Sequence, residues 1–578
     1  MKEVNVKNRK MKSVAAALTT AAIVALALSA CNGGGDGESP VPSTPALVTK
    51  TCAELNGMAI PATSIGLPTT GGVVTSTTVV PAAGTGTALV PEYCKVLASI
   101  NPVDVTAPSI KFQVDLPTTW NSKAMMFGGG GWDGSIPAVG GNVSVGPADK
   151  PTPLQRGYAT FGSDSGHQAG ALGSQDHLFG LNDEAERNFG GDALKKTRDA
   201  SVFIINARYG QNPTKSYFHG GSTGGREALA VIQRWPADWN GAVALYPAWN
   251  DIGAVLFGHK ANRALAAPGA YPNQAKRKVI YDAAIAACDA LDGVADGLIS
   301  NQAKCNATFD PKVVRCAGGA DTGDTCLSDA QIAALQTMNG GATFNFFLSS
   351  GLQSYPGYNV WGADLGMSQA ATGYSLQAVV TFLALGTVQP SWPTPSSTPY
   401  ITPFVDQFFN YAVMRNPTLS SNPLLLDPEN PGPWGSRLSE LSTQLDTSTD
   451  ISAFVAKGGK LLLAHGLQDV LVSTRASEMY YQRLQSQFGP ATVDTFARFY
   501  EIPGLGHAFS AAFTPGWDSV TTLENWVEKG IAPTDETITD TAVLAGRTRP
   551  LCPYPTFPRY KGNGLDVNLA SSFVCSNS

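Results

Sequence analysis

The stretch KSYFHGGSTGGREAL, residues 215–229, constrains this chain more than any other. An apolar run enters Gly220-Gly221-Ser222-Thr223-Gly224, and residues at helical spacing continue to Pro236. A strand that turns at once into a helix leaves no room for bulky neighbours at its apex, so glycines flank it. Such a turn presents the serine at a helix N-terminus, where backbone N–H groups favour a developing oxyanion. Ser222 is the candidate nucleophile. The plain alternative is a serine in a glycine-rich turn.

The surrounding rhythm predicts the sheet that carries this turn. IKFQVDLP (110–117) alternates like a strand, and KAMMFGGGGWDG (123–134) reads as a buried strand entering a glycine loop. GYATFGSDSGH (157–167) and GAVALYPAW (241–249) are further strands, separated by helical stretches such as GDALKKTRDASVFIINARYG (191–210). Alternating strands and helices predict an α/β fold with a mostly parallel sheet flanked by helices. Between residues 251 and 446 the rhythm gives way to Gly, Pro, Ser and aromatic residues, with irregular helices such as QAKRKVIYDAAIAAC. It returns in DISAFVAKGGKLLLAHGLQD (450–469). The expected organisation is a catalytic domain over 51–250 and 447–578, interrupted by a lid domain over 251–446.

The partners of Ser222 are sought among six histidines. In an α/β-hydrolase fold the order is Ser, then Asp or Glu, then His. His507, in EIPGLGHAFS, ends the last strand and fits as the base; Asp469, in HGLQD, ends the preceding strand and fits as the acid that orients it. His465 lies inside its strand and reads as a structural histidine near the site. Asp494 competes as the acid but falls between a helix and the next strand. The loop GGGG at 128–131 supplies the second oxyanion donor, so the N–H groups of Gly131 and Thr223 are the specific expectation.

The N-terminus carries a basic start (Lys2, Lys7, Arg9, Lys10, Lys12) and the apolar run Val14–Ala30, the pattern of a signal peptide over 1–30. Leu28-Ser29-Ala30-Cys31 resembles a bacterial lipobox, with Cys31 as the lipidated residue. Asn32 after it resembles the sorting pattern of an outer-membrane lipoprotein, periplasmic or at the cell surface. Residues 31–50 read as a flexible tether. Removing residues 1–30 takes away five basic residues and Glu3, leaving 34 Lys and Arg against 44 Asp and Glu, a net of about −10. No basic run survives, which disfavours nucleic-acid binding, and membrane contact is expected only through the N-terminal lipid.

Eight further cysteines remain: Cys52, Cys94, Cys288, Cys305, Cys316, Cys326, Cys552 and Cys575. An even count in an exported chain points to disulfides, of which on the order of a hundred connectivities are possible. Sequential pairing is the simplest. Between Cys288 and Cys305, CDALDGVADGL crowds Asp289, Asp292 and Asp296 into one loop. Carboxylates so close repel one another unless a hard cation neutralises them, and oxygen ligands suit Ca2+, with the carbonyls of Val294 and Leu298 completing the shell. An ordinary Asp-Gly turn cluster is the alternative.

Together, GGSTGGREAL, CDALDGVADGL, GGKLLLAHGLQD, VPEYCKV and the tail RTRPLCPYPTFPRYKGNG resemble the tannase and feruloyl esterase family, from Cys52 to Cys575. The resemblance implies a serine carboxylic-ester hydrolase with an α/β-hydrolase core, a lid holding structural calcium, and the pairs Cys52–Cys94, Cys288–Cys305, Cys316–Cys326 and Cys552–Cys575. Feruloyl or galloyl-like aromatic esters are the expected substrates. Three departures shape this expectation. Family members commonly join a cysteine before the nucleophile to one after the histidine, where this chain has Gly221 and Ala508, so it reads as a member lacking the disulfide next to the triad. A member that cleaves a terephthalate monoester uses a lid arginine, yet no Arg or Lys lies between Ala371 and Met414. Val472 stands where that member has a phenylalanine. Of the lid aromatics Trp361, Trp392, Phe404, Phe408 and Tyr411, most are expected in the lid core and about a third at the pocket. The alternatives are an esterase for synthetic or aliphatic esters, terephthalate monoester included, and a non-catalytic ligand-binding surface lipoprotein.

Overall fold

The structure, a computed structural model, describes residues 49–577. The signal peptide, Cys31 and nearly all of the tether lie outside the described residues.

A ten-stranded sheet carries the site. Its strands are β1 (Ala59–Ile60), β2 (Gly72–Val80), β3 (Tyr93–Ile100), β4 (Ile110–Pro117), β5 (Lys123–Phe127), β6 (Ala159–Ser163), β7 (Lys215–Gly221), β8 (Gly241–Leu245), β9 (Lys460–Gly466) and β10 (Ala497–Ile502). The spatial order is β1-β2-β3-β4-β6-β5-β7-β8-β9-β10. From β6 to β10 every pairing is parallel, while β1 to β4 and the β4–β6 pairing are antiparallel. The parallel strands are short and apolar because helices cover both faces. Met126, Phe218, Leu461 and Leu463 face one buried cluster, and Met125, Tyr217, Leu462 and Ala464 face the other. The period of two therefore places alternate side chains in separate cores. Helices α1 (Ala193–Tyr209) and α2 (Thr223–Arg234) belong to this layering, and a C-terminal helix, Ser519–Lys529, packs on β8 and β9.

Among the described residues, no strand between 251 and 446 joins this sheet. That segment contains α3 (Asp251–Ala266), α4 (Gln274–Cys288), α5 (Asp329–Gly340), α6 (Ile401–Phe408) and a small hairpin, Ala342–Thr343 with Ser354–Tyr355. No described helix is long and apolar enough to cross a membrane.

The description of the chain as a member marked by a missing disulfide is corrected by the structure. Among the described residues four disulfides brace it: Cys52–Cys94, Cys288–Cys305, Cys316–Cys326 and Cys552–Cys575. Each ties segments that regular structure holds only weakly. The first anchors the N-terminal segment to β3, the next two staple loops at 288–326, and the last fastens the C-terminal hairpin. Such cross-links are features of exported chains.

Candidate active site

Ser222 sits between β7 and α2 with φ 61° and ψ −122°, a left-handed conformation rare for a residue with a side chain. The strain is held by the turn itself: Ser222 N–H donates to Leu245 O (3.0 Å), and its carbonyl accepts from Arg226 N–H (3.0 Å). Its Oγ lies 3.0 Å from His507 Nε2, and His507 Nδ1 lies 2.7 Å from Asp469 Oδ2. Asp469 follows β9 and is fully buried; His507 follows β10. Strand ends far apart in sequence thus bring a hydroxyl, an imidazole and a carboxylate into one hydrogen-bonded line. Asp494, by contrast, is exposed and faces Arg498.

Burial alone would raise the Asp469 carboxyl. The opposing charge of His507 and hydrogen bonds from His465 and His507 outweigh it and hold the group well below the usual carboxylate range. Its other oxygen accepts from the N–H groups of Leu471 (2.8 Å) and Val472 (3.0 Å). His465 is completely buried, with Nε2 3.1 Å from Asp469 Oδ2 and Nδ1 2.8 Å from Ser477 Oγ. It is closer to the chemistry than its place inside a strand suggested, because it braces the acid.

The glycine loop after β5 lies against the serine turn. Gly224 N–H donates to Gly129 O (3.2 Å), and the Thr223 hydroxyl donates to Gly131 O (2.7 Å). A Cβ on Gly128 would come within 2.5 Å of Gly224 Cα, so only glycine permits this approach. Gly131, Ser222 and Thr223 line one cleft with Ala248, Asp251, Ala254, Val255, Tyr400, Ile401, Phe404, Leu471 and Val472. A hydroxyl beside an imidazole, an ionised acid behind it, and backbone amides at a helix start can together perform acyl transfer.

The comparisons with known proteins agree with this geometry. The family described as tannase and feruloyl esterase matches residues 94–576. An uncharacterized esterase of Agrobacterium fabrum is 37% identical over 540 residues, covering 91% of this chain and 93% of its own. The mono(2-hydroxyethyl) terephthalate hydrolase of Piscinibacter sakaiensis is 32% identical over 551 residues, covering 86% of each. The chain belongs to the tannase and feruloyl esterase family. It is a carboxylic ester hydrolase acting on small-molecule esters. The crystal structure of feruloyl esterase B from Aspergillus oryzae shares its fold, with TM-score 0.70, 22% identity, and coverage of 88% of this chain and 98% of that one.

Within this tannase-family site several groups lay beyond sequence reasoning. Tyr246, just after β8, is buried with φ 34°, and its ring packs edge-on against His507 with centroids 4.9 Å apart. A Cβ on Gly221 would lie 2.5 Å from the Tyr246 hydroxyl and 2.6 Å from its Cζ. The tyrosine therefore occupies the space beside Gly221 and joins the nucleophile's strand to the histidine's loop. Behind the glycine loop lies a buried acid pair. Glu227 accepts from Gly129 N–H (2.9 Å) and sits beside the buried carboxyl of Asp133. Burial, then the charge of Glu227, pushes the Asp133 carboxyl well up, and burial raises Glu227 too. Glu227 stands five residues after Ser222, buried inside α2.

Of the lid aromatics, Phe404 lines the cleft and stacks on Trp132 with centroids 3.9 Å apart. Phe408 is core beneath the same tryptophan, Trp361 packs on Phe309, and Trp392 lines a separate cavity. In the aspartate loop, Asp289 accepts from the N–H groups of Asp296 (3.1 Å) and Gly297 (2.9 Å), and Asp292 Oδ1 from Val294 N–H (3.2 Å). Asp296 N–H thus points inward, its carboxylate pairs with Arg549, and its Oδ1 accepts from Leu298 N–H (3.1 Å). Among the described residues no three acidic, histidine or cysteine side chains converge as a ready-made metal cluster.

Proposed function

We propose that the chain hydrolyses aromatic esters of the feruloyl or galloyl kind through an acyl-enzyme. Ser222 Oγ attacks the ester carbonyl while His507 Nε2 takes its proton, and Asp469 holds the imidazole in the required tautomer. The N–H groups of Gly131 and Thr223 stabilise the tetrahedral oxyanion. Collapse expels the alcohol, which leaves with the proton from His507. Water, deprotonated by the same histidine, then releases the acid and restores the Ser222 hydroxyl. The observation carrying this reading is the continuous chain Ser222–His507–Asp469. Hydrolysis of nitrophenyl acetate should fall at least about 1000-fold in Ser222→Ala; equal rates would remove the enzyme from consideration.

A terephthalate monoester is the second reading, favoured by the relative in Piscinibacter sakaiensis. Against it, the cleft contains no Arg or Lys and does contain Asp251, a poor neighbour for a substrate carboxylate. A panel of methyl ferulate, methyl gallate and the terephthalate monoester separates the two.

The segment 251–446 serves as the lid over the catalytic domain, residues 51–250 and 447–578. Asp289, Asp292 and Asp296, with the carbonyls of Val294 and Leu298, are the candidate calcium ligands. The supporting observation is Asp292 Oδ2, which is buried without a partner while burial pushes its carboxyl up to about 6. Calcium there would neutralise the loop and has no part in the ester chemistry. Export is completed by lipidation at Cys31, which tethers the enzyme to the outer membrane.

A further inference from the structure

Asp251 is the unexplained group of the catalytic cleft. Only 4% exposed, it opens α3 directly after Asn250, whose side chain caps the helix by accepting from Gly253 N–H. Its Oδ2 is buried with no hydrogen-bond partner. The titratable groups around it are Arg226, His177, Glu186, Asp133 and Asp446, and none hydrogen-bonds to that oxygen. Arg226, the strongest attraction among them, is committed to the carbonyls of Leu445 (3.2 Å) and Phe189 (3.1 Å). A buried acceptor left empty is costly unless something else fills it.

The rest of the cleft identifies what would fill it. Ala248, Ala254, Val255, Ile401, Phe404 and Val472 present hydrocarbon suited to an aromatic ring. The other polar groups are engaged: the Thr223 hydroxyl donates to Gly131 O, the Tyr400 hydroxyl meets Ser174, and Ser222 faces His507. A carboxylate in such surroundings accepts an O–H donor strongly and disfavours a second carboxylate. We propose that Asp251 is a specificity residue that accepts a hydrogen bond from a hydroxyl on the ring of the substrate's aromatic acid. The proposal rests on the aromatic-ester reading above and adds the ring hydroxyl as the recognised feature. It also gives this position a role beyond the favourable placement of an acid at a helix N-terminus.

The test compares kcat/KM for methyl 4-hydroxybenzoate, methyl gallate and methyl benzoate in the wild type, Asp251→Leu and Asp251→Asn. Using the ratio of hydroxylated to unhydroxylated ester within one preparation cancels any loss of folded enzyme, which circular dichroism melting records separately. The ratio should drop about 10- to 100-fold in Asp251→Leu, the worth of one hydrogen bond to a charged acceptor. Asp251→Asn, which keeps an acceptor, should fall between. An unchanged ratio, or equal loss on all three esters, overturns the proposal. A parallel pair, 2-hydroxyethyl benzoate and ethyl benzoate, moves the hydroxyl to the alcohol; a ratio that collapses only there assigns Asp251 to the alcohol side and also overturns it. If the wild type cleaves none of the aromatic methyl esters, the aromatic-ester reading fails. Asp251 is then judged by inhibition of nitrophenyl acetate turnover: methyl 4-hydroxybenzoate binding no better than methyl benzoate refutes it.

Discussion

Gly221→Ala is the sharpest probe of how the two catalytic loops hold one another. The added Cβ would lie 2.5 Å, 2.6 Å and 2.7 Å from the hydroxyl, Cζ and Cε2 of Tyr246, so the ring must withdraw by roughly 1 Å to reach ordinary contact. It cannot withdraw freely. Its backbone sits at φ 34°, its N–H donates to Ala464 O at 2.7 Å, and its side chain is buried against His507. Overpacking of this kind costs about 1–3 kcal/mol. Some of the displacement passes to the imidazole, whose hydrogen bonds to Ser222 and Asp469 tolerate little movement. An error near 1 Å in a reacting group is worth about 100-fold in rate, so kcat should fall about 10- to 100-fold with KM within about threefold. Removing the obstacle gives the decisive comparison. In a Tyr246→Ala background the three nearest obstructing atoms are gone, so the penalty should largely vanish, giving a coupling of about 1–3 kcal/mol in a double-mutant cycle read by kcat/KM and by melting. Additivity within about 0.5 kcal/mol would refute the steric argument.

Other perturbations test separate parts. The carboxyl of Asp406, on α6, is pushed up to about 7 by burial and accepts from the Thr394 hydroxyl. Its folded pKa exceeds its unfolded one near about 3.9, so its contribution is full below pH 4 and is lost as pH rises toward 7. Asp406→Asn should therefore gain melting temperature relative to wild type between pH 5 and pH 8; a constant difference would count against the assignment. Chelation should lower the melting temperature of the wild type and leave Asp292→Ala unmoved, whereas equal shifts in both would exclude calcium at this loop. The Cys288–Cys305 bridge closes a separation of 17 residues, and replacing both cysteines by alanine should cost about 3 kcal/mol in denaturant melts. A loss below about 1 kcal/mol would mean that the reduced, unfolded loop is already ordered.

The parts of the fold that were legible are those whose pattern is local. Ile110–Pro117 alternates buried and exposed side chains before every residue becomes buried at its end, and the apolar run at Gly241–Leu245 is buried throughout, as parallel strands covered on both faces require. The candidate residues Ser222, Asp469 and His507, which the structure brings into one hydrogen-bonded line, could be named because glycine spacing marks the turn and strand ends order the partners. The antiparallel extension, β2 and β3, was missed. Gly72–Val80 is rich in Thr and Ser and buries only Val74 fully, so it offers no apolar stripe to read. The short strand at 241–245 ends where Tyr246 turns to positive φ, although the apolar run continues to Trp249.

What the sequence could not supply is which residue fills a space that another leaves. Gly221 looks like a steric courtesy to the serine beside it, yet in three dimensions the volume it vacates belongs to Tyr246, twenty-five positions on. Asp251 looks like an ordinary helix-starting acid until its Oδ2 is seen to be buried and unpartnered in a residue that lines the cleft holding Ser222. Both arise where β7 and β8 lie side by side and the chain leaves their ends. One strand end thus delivers Ser222, and its neighbour leads to the tyrosine behind His507 and to the acid that lines the cleft. If this division holds, changes at Tyr246 should alter turnover alike for every ester, and changes at Asp251 should alter the choice among esters.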